Sequence, residues 1–252
     1  MINIDTVYQK VLALANKEQR GYITPQEFNL FANMAQLEVF NQYFYDMNQF
    51  DRLRGNNTEY SDMVSLIEEK LSLFKKDAYL NVIGGTITLP NDLYRISSIH
   101  VFTGTTGTTS SSPFATEIQR VTHEELSLLM MSPLTIPTDD YPVYYIHGKG
   151  SVSSLTTPTV TSPTSLTLFP TNINQVFVDY IVKPTVASWG YVVLNTKALY
   201  NSNTSTDFDL HPLEETELVY KILKLAGISI KREDLAAAGQ GLEMSQIQQE
   251  KQ

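Results

Sequence analysis

Residues 24–47 read TPQEFNLFANMAQLEVFNQYFYDM and carry the start signals of a long helix. Thr24 suits the N-cap and Pro25 suits the first helical position. Glu27 can complete a capping box by accepting a hydrogen bond from the Thr24 amide. Apolar side chains recur at helical spacing from Phe28 onward. The segment therefore predicts one helix of roughly 35 Å at 1.5 Å per residue.

Other segments on both sides show similar signals. Helical periodicity predicts helices over residues 5–16, 62–76 and 212–227, and a last Gln-rich helix weakened by Gly239 and Gly241. Strand patterns lie between them. A Gly84-Gly85 turn predicts a hairpin, Thr122 and Glu125 predict a capped short helix, and further strands are predicted over residues 93–102, 144–147, 165–169 and 175–182.

The distribution of charge divides the chain into three blocks. Residues 84–206 hold 12 of the 45 charged residues (18 basic and 27 acidic), together with 37 Ser and Thr and 9 of the 11 prolines. Thr and turn residues favour strands and loops, whereas charge-rich segments with few prolines favour helices. We therefore expect an α+β fold, a helical bundle with an inserted antiparallel β domain and a C-terminal helix and tail. The expected domains are an N-terminal helical part over 1–83, a β-rich domain over 84–206, and a C-terminal helix and extended tail over 207–252 that completes the helical part.

The composition excludes several classes of function. A net charge of -9 argues against broad electrostatic binding to nucleic acid or to an anionic membrane. Without cysteine there is no disulfide framework and no thiol nucleophile. No stretch approaches the roughly 20 apolar residues of a membrane span, and the first 16 residues lack a signal-peptide pattern. We expect a soluble protein with no membrane partner.

The sequence offers little support for a catalytic or metal-binding site. The four histidines are scattered, and no HExxH motif, nucleophile elbow or complete phosphate-binding loop is present. We therefore expect no enzymatic activity, no cofactor and no metal. Residues 16–27 can be aligned with the 12-residue calcium-binding loop of an EF-hand, and Gly21 and Glu27 then match its invariant glycine and its last ligand. Arg20, however, would occupy a position that needs an oxygen ligand. The two interpretations are a calcium site and a structural corner between helices, of which the corner is favoured.

Aromatic residues crowd the end of the long predicted helix. Tyr43, Phe44, Tyr45 and Phe50 are too many for one helical stripe, so some must face a neighbour. That neighbour is either the β-rich domain or another subunit, because aromatic residues are enriched at interface cores. Trp189 follows a predicted strand and is assigned to the core.

Four segments carry a resemblance to a known family. They are NKEQRGYITPQEFN at 16–29, LPNDLYRI at 89–96, VDYIVKP at 178–184 followed by a tryptophan, and DFDLHP at 207–212 leading into a helix. Together they resemble virion structural proteins of short-tailed, crAss-like bacteriophages. They are similar to the adaptor or ring proteins that lie beneath the portal and join the capsid to the tail.

The resemblance implies a non-enzymatic ring protein of the head-to-tail connector. It implies a cyclic homo-oligomer, commonly twelvefold, that contacts the portal protein and neighbouring tail ring proteins while DNA passes without sequence-specific contact. The protein would lie in the virion and be assembled in the host cytoplasm. The end of the chain, with Leu235, Leu242 and Ile247, would grip the next layer, so these residues join the four aromatic ones as interface candidates. The alternative is a β-domain module on the tail or capsid surface that binds a glycan or host receptor through its Ser/Thr-rich loops, and a third possibility is a calcium-dependent scaffold.

Overall fold

The computed structural model describes residues 1–15, 23–52, 58–103, 114–146, 165–195, 197–229 and 233–250. The chain forms two compact units. The helical unit comprises Met1–Leu73 and Pro184–Gln252, and the sheet unit comprises Phe74–Lys183. The chain therefore leaves the helical unit once and returns to it once.

The helical unit contains five α-helices and one hairpin among its described residues. These are α1 (Ile4–Ala15), α2 (Pro25–Arg52), α3 (Thr58–Ser72), the hairpin strands β9 (Tyr191–Leu194) and β10 (Lys197–Tyr200), α5 (Glu215–Ser229) and α6 (Glu233–Glu250). Short 3-10 turns at Ser202–Thr204 and Pro212–Glu214 lead into α5.

The capping box predicted for α2 is confirmed. The Thr24 amide donates to Glu27 Oε2 over 3.0 Å, and the Glu27 amide donates to Thr24 Oγ1 over 3.3 Å. These bonds satisfy two amides that a helix start leaves without an intrahelical partner. The 28 residues of α2 give it a length of about 42 Å.

Helix α5 lies at the centre of the helical unit. It packs against α1, α2 and α6, and Leu218, Ile222 and Ala226 have no exposed surface. A helix that is covered on most sides buries apolar side chains on each of its packed faces, and each face stabilises the unit. Helix α5 consequently connects α1, α2 and α6 within the helical unit.

The sheet unit contains one large sheet and one helix in its described residues. The strands are β1 (Lys75–Ile83), β2 (Thr86–Thr88), β3 (Leu93–Thr103), β4 (Phe114–Glu117), β5 (Gln119–Arg120), β6 (Val143–Ile146), β7 (Ser165–Phe169) and β8 (Gln175–Val182), and the helix is α4 (His123–Met130). Their order is β4-β3-β8-β1-β2-β7-β6-β5, with all pairs antiparallel except β5 and β6.

The two ends of this strand order meet in a single stretch of chain. Strand β4 pairs with β3 and β5 pairs with β6, yet only Ile118 separates β4 from β5. The Ile118 amide donates to Ile99 O over 2.8 Å and continues the contact with β3. The sheet is therefore nearly closed into a barrel, which covers strand edges that would otherwise be open to pairing. Its centre is filled by apolar side chains such as Ile87, Leu166 and Val178.

The Gly-Gly hairpin between β1 and β2 is confirmed. Gly84 and Gly85 have φ angles of 60° and 79°. Two successive left-handed residues match the right-handed twist of the flanking strands, and glycine reaches this region without steric cost. The turn puts Val82 opposite Ile87 in the ladder.

The predicted fold class, a helical bundle with an inserted antiparallel β domain and a C-terminal helix and tail, is wrong. The structure is mixed, and its largest element is an eight-stranded, nearly barrel-shaped sheet that forms a β-sheet domain of its own. Strand β1 begins at Lys75, inside the segment predicted to be helical, and β5 pairs with β6 in parallel. The prediction failed because it used charge as a mark of helix, and β1 begins with Lys75, Lys76 and Asp77.

Two further differences concern boundaries. The helix predicted over residues 62–76 is α3, which ends at Ser72, because the chain turns there to enter the sheet. The last segment, for which the sequence predicted both a weak Gln-rich helix and an extended tail, forms helix α6 and packs along α5. Gly239 makes this close approach possible, since a Cβ atom there would lie 3.0 Å from the backbone nitrogen of Lys224.

The two glycines of α6 should respond oppositely to alanine. We expect Gly239→Ala to lower the free energy of unfolding by about 1 kcal/mol, because the backbone of α5 cannot rotate away from the new methyl group. Gly241→Ala meets no atom within 4 Å, and we expect it to raise that free energy by about 0.5–1 kcal/mol through helix propensity. Urea unfolding of both variants measures the difference, and equal effects would contradict the close approach of α5 and α6.

Candidate interaction surfaces

A row of side-chain amides on α2 holds the segment that returns from the sheet unit. Asn33 Nδ2 donates to Ala187 O over 2.8 Å, and the Ala187 amide donates to Asn33 Oδ1 over 2.9 Å. Asn29 Oδ1 accepts from the Trp189 amide over 2.8 Å, and Gln36 Nε2 donates to Thr185 O over 3.0 Å. These side chains form hydrogen bonds with the backbone N–H and C=O groups of the returning segment, as a neighbouring strand would. The segment is partly buried, so its backbone groups need such partners.

Trp189 anchors the hairpin that follows. It is buried, as its assignment to the core predicted, and its indole nitrogen donates to Asp5 Oδ1 over 3.0 Å. Its ring lies 4.3 Å from that of Tyr8, 5.8 Å from that of Tyr191 and 5.9 Å from that of Tyr200, measured between centroids. One face of the β9–β10 hairpin is therefore fixed against the helical unit.

The opposite face of the hairpin is apolar and exposed. Val192 pairs with Leu199, and Leu194 pairs with Lys197, so these four side chains share one face. Val192, Leu194 and Leu199 are 47%, 56% and 49% exposed. We call these four residues the hairpin surface. Within the described residues, β9 and β10 pair only with each other.

A second apolar surface runs along α2. Leu30, Met34 and Tyr45 are 67%, 56% and 66% exposed. At about 100° per residue they fall within roughly 60° of one another, opposite the buried side of the helix. We call these three residues the α2 surface.

The predicted interface residues have different positions. Tyr45 belongs to the α2 surface, and Leu242 on α6 is 46% exposed. Tyr43 is buried, with Lys70 Nζ 5.8 Å from its ring centroid, and Phe44 packs edge-on against Phe40 at 5.1 Å. The side chains of the remaining three candidates, Phe50, Leu235 and Ile247, lie outside the described part of the structure. The structure thus does not gather the four described candidates into one patch.

A buried ionic cluster joins α2, α5 and α6. Lys221 is only 1% exposed, and its Nζ lies 2.7 Å from Glu243 Oε1, 3.4 Å from Glu217 Oε1 and 3.8 Å from Glu38 Oε1. Lys224 adds a 3.1 Å contact to Glu243 Oε2. The sequence signal that could have revealed this cluster is the pair Glu217 and Lys221, which lie one helical turn apart in an apolar helix.

The cluster shifts the pKa values of its members. Burial alone would lower the pKa of Lys221, but the hydrogen bond with Glu243 and the charges of Glu217, Glu243 and Glu38 raise it above the ordinary value. Burial would raise the pKa of Glu243, but its bonds to Lys221 and Lys224 lower it. Both groups are therefore held in their charged forms.

The sheet unit contains a cleft of about 810 Å³ beside β3. Its lining includes Tyr94 and Arg95 from β3, and Glu117, Arg120 and Tyr144 from β4, β5 and β6. Burial raises the pKa of the Tyr144 hydroxyl, and the Arg120 charge partly offsets this effect. Two guanidinium groups and two phenols give the cleft the hydrogen-bonding capacity of a polar-ligand site.

The calcium-binding loop considered for residues 16–27 lies partly outside the described residues, which omit 16–22. Glu27, its last ligand position, is bonded to Thr24, and these bonds lower the pKa of its carboxyl group. Within the described ranges, no three His, Asp or Glu side chains are grouped to hold a metal ion. Among the same residues, no helix combines the length and the apolar character that crossing a bilayer requires.

No protein-family model matches the chain, and no curated protein is similar to it in sequence.

Removing the central cation of the ionic cluster should destabilise the protein strongly. We expect Lys221→Met to lower the free energy of unfolding by about 3–5 kcal/mol, because Glu217 would stay buried without its cation and Glu243 would keep only Lys224. The matched control is Lys10→Met, which removes the exposed pair with Glu215 at 2.7 Å and should cost less than about 1 kcal/mol. Urea unfolding at neutral pH measures both variants. Similar losses in the two would contradict the role of the buried cluster.

The same cluster predicts a pH dependence. The pKa of Glu243 is lower in the folded than in the unfolded protein, so its stabilising contribution is complete above the unfolded pKa of about 4.3 and is lost as the pH falls through the folded value. In Lys221→Met the folded pKa of Glu243 should rise. The loss of unfolding free energy as the pH falls below about 5 should therefore be smaller in the variant than in the wild type, as measured by urea unfolding at a series of pH values.

Proposed function

We propose that this chain is a non-enzymatic structural protein of a phage virion that forms a ring in the head-to-tail connector below the portal. The observation that carries the proposal is the pair of apolar surfaces on one helical unit, the hairpin surface and the α2 surface. Exposed apolar patches on a folded unit are typical of protein contacts. The resemblance of the four sequence segments to connector proteins supplies the class of assembly.

The electrostatics fit a channel for DNA. The net charge of -9 would keep the wall of a ring from trapping the phosphate backbone, since it offers few cations to replace the counterions of DNA. DNA would then pass without sequence-specific contact. The proposed partners are other copies of this chain, the portal protein and the neighbouring tail rings, in a virion assembled in the host cytoplasm.

Ring formation should depend on the α2 surface. We expect the purified protein, alone or with its candidate portal, to form closed rings of a single size in mass photometry and negative-stain images. The double variant Leu30→Lys/Met34→Lys should remain folded but fail to form them, because charges would face the neighbouring subunit. The control is Leu128→Lys on α4, which is similarly exposed at 65% and lies in the sheet unit. Wild-type monomers under both conditions would refute the ring.

The cleft in the sheet unit supports a second candidate function, a tail- or capsid-surface module that binds a glycan or host receptor. Tyr94 and Tyr144 offer ring faces and hydroxyls, and Arg95 and Arg120 offer planar donors, all suited to the hydroxyl and carboxylate groups of surface sugars.

This second function predicts that Arg95→Ala/Arg120→Ala particles assemble normally but adsorb to host cells severalfold more slowly. Adsorption is measured as the loss of free particles from a cell suspension, and Arg52→Ala in α2 is the control. Under the connector proposal, adsorption by the Arg95→Ala/Arg120→Ala particles equals that of the wild type. Slower adsorption with normal assembly would favour the surface module.

A further inference from the structure

We propose that the hairpin surface of one copy docks on the α2 surface of the next copy. This inference rests on the proposed ring and names the contact that would build it. The occupant of each surface is therefore a second copy of this chain, related to the first by a rotation that brings two different patches together.

The hairpin needs a partner on its outer face. A two-stranded hairpin is marginal in water by itself. Trp189 contacts one side of this one at Tyr191 and Tyr200, and Val193 on that side is still 61% exposed. The other side exposes Val192, Leu194 and Leu199 over roughly half of their surface. Covering these side chains would remove apolar area from water and stabilise both strands.

The α2 surface offers a matching stripe. Glu27, Leu30, Met34 and Glu38 follow one another at spacings of three, four and four residues, so they form one line along the helix. Two apolar side chains thus lie between two carboxylates. Glu38 is 47% exposed and also lies 3.8 Å from Lys221 Nζ and 3.9 Å from Lys224 Nζ, so Glu27 is the carboxylate of the stripe that no lysine contacts among the ion pairs described above. The arrangement is suited to an apolar strand pair that carries a cation at its rim.

The charges of the two elements are complementary. Helix α2 contains four acidic residues and one basic residue, a net charge of -3, whereas the returning segment and hairpin, residues 184–201, contain Lys197 as their one charged residue. Lys197 belongs to the hairpin surface, opposite Leu194. Docking would place this cation against an acidic helix, which favours encounter and fixes orientation.

The same charges oppose symmetric contacts. Two hairpin surfaces packed together would bring Lys197 against its own copy, and two α2 surfaces would bring Glu27 and Glu38 against theirs. Like charges across an interface are unfavourable. The favoured contact is heterologous, and a heterologous contact repeats from copy to copy and gives a ring when its rotation closes.

Engineered cysteines can test this contact directly, because the chain contains no cysteine of its own. Leu194→Cys and Met34→Cys change exposed positions, and circular dichroism verifies that each variant is folded. After mild oxidation under ring-forming conditions, a mixture of the two variants should give a disulfide-linked dimer. Neither variant alone should give one, since the bond requires Cβ atoms about 4 Å apart. Leu128→Cys mixed with Leu194→Cys is the matched control and should remain uncrosslinked.

The possible outcomes separate this contact from the ring itself. Rings with the mixed cross-link support the proposed contact. Rings without it, or with only Leu194→Cys or Met34→Cys linked to its own kind, overturn the hairpin contact and leave the proposed function standing. Monomers of the wild-type chain, with and without the portal, overturn both.

Discussion

The hydrogen bonds between the amide side chains of α2 and the backbone of the returning segment are the contacts on which the helical unit depends. Asn33 both donates to and accepts from Ala187, and Asn29 does the same at Trp189. On its other side the segment bonds Thr206 through Ser188. The amides and carbonyls that face α2 have no such strand beside them, so they would be left unsatisfied when partly buried if the amide side chains were absent. Once the segment is fixed, the position of Trp189 follows, and with it the side of the hairpin that faces outward.

The helical unit combines two kinds of polar interaction with different consequences. The amide contacts are neutral and should change little between pH 5 and 9. The cluster around Lys221 is ionic, and its two buried carboxylates, Glu217 and Glu243, are tolerable in the interior only while cations lie beside them. A buried cluster of this kind fixes the register of α2, α5 and α6, because a shift of one helical turn would separate Glu243 from Lys221. We interpret it as a device for alignment more than as a source of net stability.

The parts of the fold that the sequence predicted are those with strong local signals. Strands β7 and β8 lie at the predicted residues, and both capping boxes are present, because alternation and cap chemistry act over a few residues. The β9–β10 hairpin was missed, since its turn uses Asn195 with a φ of 48° and lacks the glycine that marks such turns. The ionic cluster and the exposed face of α2 depend on which helices pack against each other, and local sequence patterns do not show which helices will do so. Of the predicted interface residues, Tyr45 lies on the proposed contact surface because only its face of the helix is left uncovered.

The path of the chain between the two units has a mechanical consequence. Lys75 pairs with Ile181, and the Val182 amide donates to Phe74 O over 2.8 Å, so the chain enters and leaves the sheet unit at neighbouring ends of one antiparallel pair. Tension applied through the two connections would load the β1–β8 hydrogen bonds one after another from that end, as in opening a zipper. Strands pulled from opposite ends would instead share the load among all their bonds. When the two connections are pulled apart, the sheet unit would therefore begin to open at this pair of strands.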